Sequence, residues 1–304
     1  MTDTTAPTLR PLGIGDIVDR TIGLYRASPG LFLVLAGLPY IVVAIVTLVL
    51  NLAFVHTTPF SALPSNVFDP SQLSTPFTPD QIAGFAVYGA VITLVSLLVL
   101  SVQAAAIVDA MSKRYLGRPT TVGESIGVGL RASALLILAS IVAFVAFVVV
   151  VTLAIVALGI AAAVLKNPLP VIVGVIAMFV LIFYVVASWM PLPAVVTLEG
   201  RGPVDGLRRS WRLAGGARWR ILGLLMLMAI LQAILGILFA FVFLGTIVTE
   251  GAAKTVLQEV ANLAVNALWA PIQWGVFTLL YYDLRVRKEA FDLQLAAEAM
   301  PRVT

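Results

Sequence analysis

Residues 141–158 read IVAFVAFVVVVTLAIVAL, an apolar run with one hydroxyl and no charge. A continuous run of about 18 apolar residues indicates a transmembrane helix, whereas the strands of a membrane barrel would alternate apolar and polar residues. Because hydrocarbon offers no water to backbone polar groups, such a run crosses a membrane as a helix. This stretch therefore predicts an all-α membrane protein.

The composition of the whole chain agrees with that prediction. The chain has 304 residues, of which 61% are hydrophobic and 11% are charged, and its mean hydropathy is +1.05. A soluble domain is roughly 45–50% apolar and about 25% charged. These values exclude a soluble enzyme and a disordered protein. The absence of cysteine from the sequence excludes a disulfide-stapled module and thiolate metal sites.

Six stretches reach the length of about 20 apolar residues that a transmembrane span needs. They are residues 31–55, 82–111, 132–165, 171–198, 221–248 and 260–282. The first stretch is longer than the apolar region of a secretory signal, so we interpret it as a retained span. Only Lys166-Asn167-Pro168 and two following residues separate the third stretch from the fourth, which predicts a tight hairpin. We interpret residues 1–304 as a single integral membrane domain.

The distribution of lysine and arginine predicts the orientation, because basic residues near span ends resist translocation. Seventeen of the 19 basic residues precede span one, join spans two and three, join spans four and five, or follow span six. Both the arm 1–30 and the tail 283–304 are therefore predicted to be cytoplasmic. The connection 55–81 contains five prolines and no basic residue, and it is predicted to be a loosely ordered external loop.

A similar segment precedes each odd-numbered span. It contains an acidic residue beside glycine, apolar residues at helical spacing and then arginine, and it begins near Asp16, Glu124 and Asp205. An acid at the start of a helix and an arginine at its end both suit the helix dipole. The pattern predicts six transmembrane helices as three tandem hairpins, each preceded by a cytoplasmic interfacial helix.

The even-numbered spans also share features. Spans two and six end with an acid and a base four residues apart, Asp109 with Lys113 and Asp283 with Arg287, which predicts ion pairs on one helix face. A Trp-x-Pro motif occurs in spans four and six, at residues 189–191 and 269–271. These recurrences support the repeat.

The most distinctive polar segment is residues 207–220. Leu207, Trp211 and Ala214 are predicted on one helix face, and Arg208, Arg209 and Arg212 on the other, as in a helix lying among lipid headgroups. The residues predicted to contact anionic headgroups or a protein partner are Arg208, Arg209, Trp211, Arg212, Arg218, Trp219, Arg220, Asp283, Arg285, Arg287 and Lys288. Nucleic-acid binding is disfavoured, because the net charge of +4 is itself the topological signal.

The sequence contains no His-Glu-x-x-His, Gly-x-Ser-x-Gly or P-loop motif, so neither catalysis nor a cofactor or metal is predicted. Polar and proline residues inside spans are candidates for the wall of a cavity, or else for interhelical hydrogen bonds and kinks. The cavity candidates are Gln103, Pro191, Gln232, Pro271 and Gln273.

The two ends of the chain carry a resemblance to a known group of proteins. LRPLGIGDIVDR at residues 9–20 and LLYYDLRVRKEAFDL at residues 279–293 resemble uncharacterised bacterial six-helix membrane proteins. Those proteins are similar to the membrane domain of glycerophosphoryl diester phosphodiesterase. The resemblance implies a membrane location and fold, but not hydrolysis, because no catalytic barrel accompanies the six spans.

These features lead to two functional hypotheses. The first is a non-catalytic plasma-membrane scaffold or accessory subunit that contacts lipid headgroups or a partner. The alternative is a transporter or lipid-handling permease for a hydrophobic or amphipathic substrate.

Overall fold

The computed structural model describes residues 10–54, 79–165, 168–245 and 251–299, and the regular elements in these ranges are α-helices. They are α1 (Ile14–Ala27), α2 (Pro29–Phe54), α3 (Pro79–Tyr115), α4 (Val122–Leu165), α5 (Pro168–Trp189), α6 (Leu192–Glu199), α7 (Pro203–Ala214), α8 (Arg218–Gly245), α9 (Gly251–Glu289) and α10 (Phe291–Ala299). Residues 55–78 of the predicted external loop and the junction 166–167 lie outside the described residues.

The described helices confirm the all-α class and the number of candidate spans. Six are long and apolar enough to cross a membrane: α2, α3, α4, α5 continued by α6, α8 and α9. α3 and α9 extend well beyond their predicted bounds, α9 beginning at Gly251 and ending at Glu289. Hydropathy marks only the part of a helix that suits hydrocarbon, whereas the hydrogen-bonded helix continues into the polar region.

Two of the three segments predicted to precede odd-numbered spans form separate short helices. α1 ends at Ser28-Pro29, and α7 ends at a turn in which Gly216 adopts a φ of +76°. The second segment is different, because α4 runs without interruption from Val122 to Leu165. Neither proline nor glycine follows Arg131 at the corresponding boundary, so nothing ends the helix there.

The two Trp-x-Pro motifs have different consequences. Span four breaks at Met190-Pro191 into α5 and α6, whereas Pro271 lies inside the continuous α9. The break follows from a second proline, Pro193, since two missing N–H groups leave two carbonyls without helical partners. A single proline is accommodated in a longer helix as a local kink.

The buried core lies at the end of the bundle where the basic segments gather, which we call the arginine-rich end (residues 10–20, 109–131, 199–220 and 281–289). Residues 102–112 of α3 and 276–284 of α9 are all buried there. α9 packs against α2 and α3 as well as α8, so the packing crosses the boundaries of the predicted hairpins. Toward the other end, large apolar side chains such as Leu94 and Phe144 are exposed, which suits a surface that faces hydrocarbon.

Gly129 allows α3 and α4 to approach closely. A Cβ atom at this position would lie 2.6 Å from the carbonyl oxygen of Val102 and 3.2 Å from the Cβ of Ala106. Gly129→Ala is therefore expected to push the helices apart and to lower the free energy of unfolding by about 1–3 kcal/mol. Thermal melting of the detergent-purified protein measures the loss. Gly127→Ala, whose Cβ would meet only Nη2 of Arg131 at an ordinary contact distance of 3.9 Å, is the control, and an equal effect of both substitutions would contradict the prediction.

Candidate functional site at the arginine-rich end

The carboxylate of Asp283 in α9 joins the two ends of the chain. Its side chain is 0% exposed and accepts hydrogen bonds from the Leu12 backbone N–H at 2.8 Å and from Nε of Arg287 at 3.0 Å. Arg220 of α8 pairs with the same carboxylate, and Arg220 and Arg287 both donate to the Leu12 carbonyl oxygen. We call these four residues the Asp283 clamp.

The geometry of the Asp283 clamp corrects part of the sequence prediction. Asp283 is inaccessible to a lipid or partner, so its predicted role as an external contact is wrong. Arg220 and Arg287 hold this carboxylate and the Leu12 carbonyl. Their positive charges compensate the buried carboxylate, whose burial without a partner would strongly destabilise the fold. The predicted pairing of Asp283 with Arg287 across one helical turn is confirmed, as is that of Asp109 with Lys113 at 2.9 Å.

Arg209 of α7 is the centre of a second ionic group. Its guanidinium forms two hydrogen bonds to Glu289 of α9, one of them 2.8 Å from Nη2 to Oε2, and its Nε lies 3.1 Å from Glu199 of α6. Tyr281 donates to Glu199 at 3.0 Å, and Arg285 pairs with Glu289 at 3.1 Å. The hydrogen bonds to Glu289 raise the pKa of Arg209, so this side chain stays charged. We call these five residues the Arg209 network, and it ties α6, α7 and α9 together.

Arg218 occupies the junction between α5 and α8. Its guanidinium carbon lies 4.2 Å from the centre of the Tyr184 ring and 5.0 Å from that of Trp211, and its Nε donates to the Ser188 hydroxyl at 2.7 Å. The Ser210 hydroxyl donates to the Ser188 carbonyl, which the break after α5 leaves without a helical partner. Arg218 is thus held by aromatic and hydroxyl groups of the protein itself.

Lys288 also has an internal role. Its Nζ donates at 2.8 Å to the carbonyl oxygen of Arg212, the last turn of α7. A cation at the end of a helix satisfies the free carbonyls and suits the dipole.

The remaining predicted contacts lie on the outward surface of α7 and, for Trp219, at the start of α8. Arg208 and Arg212 are exposed, and neither forms a salt bridge with any residue in the described ranges. Trp219 is 81% exposed. A concavity of about 570 Å³ opens here, which we call the α7 pocket, and it is lined by Trp189, Arg201, Asp205, Leu207, Arg208, Trp211 and Arg212.

The faces of α7 differ from the predicted ones at two positions. Arg209 was expected beside Arg208 and Arg212, but it points inward to the two glutamates. Trp211 was expected on the same face as Leu207 and Ala214, but those two residues are buried, whereas Trp211 is 36% exposed and lies at the rim of the α7 pocket. Gly206, Leu207, Ser210, Leu213 and Ala214 form the buried face.

The five candidate cavity residues have separate environments. Gln103 donates its amide to the carbonyl oxygen of Ala36 at 2.5 Å and to Oδ1 of Asn266 at 2.8 Å, so it serves as an interhelical bond. Pro191 and Pro271 are buried, Gln273 is half-buried and Gln232 is exposed on α8. None of the five lines the groove that α3 forms with α4, α6 and α9.

The carboxylates of the two ionic groups accept hydrogen bonds from the protein itself. Asp283, Glu199 and Glu289 are each held by guanidinium groups as hydrogen-bond acceptors, which suits a structural role better than proton transfer. In the described ranges, no three or more histidine or acidic side chains come close enough to hold a metal ion.

A family model described as "Domain of unknown function (DUF7847)" matches residues 12–284. No curated protein and no solved structure matches. The matched region begins at Leu12 and ends one residue after Asp283, so it contains three of the four residues of the Asp283 clamp.

Proposed function

This chain belongs to the family described as a domain of unknown function (DUF7847), and we propose that it is a non-catalytic membrane protein that binds anionic lipid headgroups through the α7 pocket. It would act as a scaffold or accessory subunit, with a protein partner as a further occupant of the same end. The observation that carries the proposal is that neighbouring arginines on α7 differ in whether they form salt bridges. Arg209 is neutralised by two glutamates, whereas Arg208 and Arg212 form no salt bridge with any described residue, although Asp205 lines the same pocket.

The surroundings of Arg208 and Arg212 suit a lipid headgroup. Trp189 and Trp211 line the same pocket, and tryptophan is enriched where a membrane meets water. α7 lies beside the ends of α5 and α6, where the fourth candidate span finishes at Glu199. An exposed guanidinium near an anionic membrane surface contributes about 1 kcal/mol, and its fork matches a phosphate in two hydrogen bonds.

The location and repeat that accompany this proposal follow from the sequence. Seventeen of 19 basic residues in alternating connections support cytoplasmic termini. The separate helices α1 and α7, each before a span, support interfacial helices in a repeated unit. The resemblance of residues 9–20 and 279–293 to bacterial six-helix membrane proteins, which are similar to the membrane domain of glycerophosphoryl diester phosphodiesterase, supports a bacterial plasma membrane as the location without implying hydrolysis.

The double variant Arg208→Ala/Arg212→Ala tests headgroup binding. Loss of two contributions of about 1 kcal/mol each is expected to weaken binding roughly 30-fold. The measurement is titration of the detergent-purified protein with short-chain phosphatidylglycerol, followed by native mass spectrometry. Phosphatidylcholine with the same chains is the uncharged comparison, and inorganic phosphate distinguishes a lipid headgroup from a free anion.

The matched control is Arg26→Ala/Arg131→Ala, which removes the same charge from exposed positions on α1 and α4. Its affinity for phosphatidylglycerol is expected to stay within about twofold of the unmodified protein, because only a distant surface charge is lost. Equal weakening by both double variants would mean diffuse attraction without an α7 site. Unchanged binding by the α7 variant with an unchanged melting temperature would refute the proposal.

A permease for an amphipathic substrate is the second candidate function. A specific observation favours it, namely a groove within the spans that is separate from the α7 pocket. The groove is lined by hydroxyl groups of α3 and α4. A permease would have to bind its substrate in this groove, so binding there is the first step that an experiment must establish.

A further inference from the structure

A groove of about 440 Å³ runs along α3 between α4, the start of α6 and α9. Its size falls within the range of about 300–1,000 Å³ that is typical of small-molecule sites. Its apolar wall includes Ile92, Leu97 and Leu100, and its polar groups are the side chains of Thr93, Ser96, Ser101, Ser140 and Trp274. The groove therefore combines an apolar surface with five groups that can donate hydrogen bonds.

The polar groups of the groove have no partner among the described residues. Serine and threonine inside a helix normally satisfy their hydroxyls on the carbonyls of the preceding turn. Thr21, Ser133, Ser188 and Thr278 do so, at 2.7–2.8 Å. The side chains of the five groove residues make no such bond in the part of the chain that the structure describes, and Ser101 is 9% exposed.

The position of the groove makes these unpaired groups costly. Thr93 and Ser101 belong to the candidate span Ile82–Tyr115, and Ser101 lies eight residues, about 12 Å, before Asp109 at the arginine-rich end. Water is scarce at that depth in a bilayer, so a hydroxyl without a protein partner needs an acceptor from another molecule.

We propose that this groove binds an uncharged amphiphile that carries an acyl chain together with ester or hydroxyl oxygens, the chemistry of diacylglycerol. The oxygens accept hydrogen bonds from Ser96, Ser101 and their neighbours, and the chain lies along Ile92, Leu97 and Leu100. The lining contains no acidic or basic side chain, so a charged headgroup would be buried without compensation. A plain acyl chain would leave the hydroxyls unpaired. This site is independent of the α7 pocket.

The test uses a photoactivatable diacylglycerol, with a diazirine near the ester, in nanodiscs of phosphatidylcholine. Labelling of the unmodified protein is expected in the α3 and α4 peptides that line the groove. Ser96→Ala/Ser101→Ala removes two donors while keeping the shape of the groove. Each hydrogen bond from a hydroxyl changes the affinity about threefold in a membrane. Labelling at limiting probe concentration is therefore expected to fall about tenfold in the double variant.

Three measurements complete the experiment. Ser133→Ala, whose hydroxyl donates to its own helix, is the matched control and should label as the unmodified protein does. Equal labelling of the groove by a phosphatidylcholine with the same chain and diazirine would show a site for bulk acyl chains and would overturn the proposal. The sequence has no cysteine, so Leu97→Cys introduces a single thiol in the groove. Efficient formation of disulfide-linked dimers by this variant would show that a helix of a second copy of the chain occupies the groove, and it would overturn the proposal.

Discussion

Asp283→Ala is expected to lower the free energy of unfolding by about 3–5 kcal/mol, the largest effect of any single substitution proposed for this protein. The carboxylate is fully buried and holds Arg220, Arg287 and the backbone N–H of Leu12. Its removal leaves two cations close together and a buried donor without an acceptor. The loss is large because the Leu12 N–H stays buried without an acceptor and because Arg220 and Arg287, 23% and 40% exposed, regain only part of their hydration.

Two readouts separate loss of the Asp283 clamp from general damage. Thermal melting of the detergent-purified protein gives the loss of stability, and limited trypsin cleavage after Arg20 reports release of the arm that carries Leu12. Asp205→Ala, at an exposed acid in the first turn of α7, is the control and is expected to cost about 0.3–1 kcal/mol. If Asp283→Ala melted at the same temperature as the control, the stabilising role of the Asp283 clamp would be contradicted.

A compensating double variant tests the electrostatic explanation itself. Asp283→Leu/Arg220→Met removes the buried anion together with its α8 partner, and it is expected to melt above Asp283→Ala. If the double variant is less stable than either single one, packing around the pair, and not the uncompensated charge, accounts for the loss.

The parts of the fold that could be predicted from the sequence depend on local patterns. Apolar length identifies the spans, and spacing of four residues identifies the pairs Asp109–Lys113 and Asp283–Arg287. The helix α7 could be predicted from its amphipathic order. Pro193 beside Pro191 was a signal that span four would break, and the Trp-x-Pro motif alone was not sufficient because Pro271 has no such neighbour.

The site itself depends on contacts that no local pattern records. Leu12 and Asp283 are 271 positions apart, and the partner of the carboxylate is a backbone group with no side-chain signature. Arg209 lies about 100° around the helix from Arg208. That angle allows either of them to face inward, and only the position of Glu289 on α9 determines which does. The groove hydroxyls were visible as polar residues, but their lack of partners is a property of the folded helices.

Arg209→Ala and Arg208→Ala are expected to have opposite effects although they remove the same charge from adjacent positions. Arg209 binds Glu289 with both terminal nitrogens and Glu199 through Nε, and its side chain is 15% exposed. Its loss leaves two largely buried carboxylates without this partner and is expected to lower the free energy of unfolding by about 2–4 kcal/mol. Arg208 is exposed and makes no salt bridge within the described ranges, so its loss is expected to change the melting temperature little.

Lipid binding gives the reverse order. Arg208→Ala is expected to weaken phosphatidylglycerol binding about fivefold, because one surface contribution of about 1 kcal/mol is lost. Arg209→Ala, measured well below its melting temperature, should retain affinity. Glu289→Gln keeps the volume of the side chain but removes one of the two negative charges that face Arg209. It should lower the melting temperature as Arg209→Ala does, without weakening phosphatidylglycerol binding as Arg208→Ala does. If Arg209→Ala instead lost affinity at an unchanged melting temperature, the inward orientation of this arginine would be wrong, and the division of α7 into a structural and a lipid-binding face would have to be abandoned.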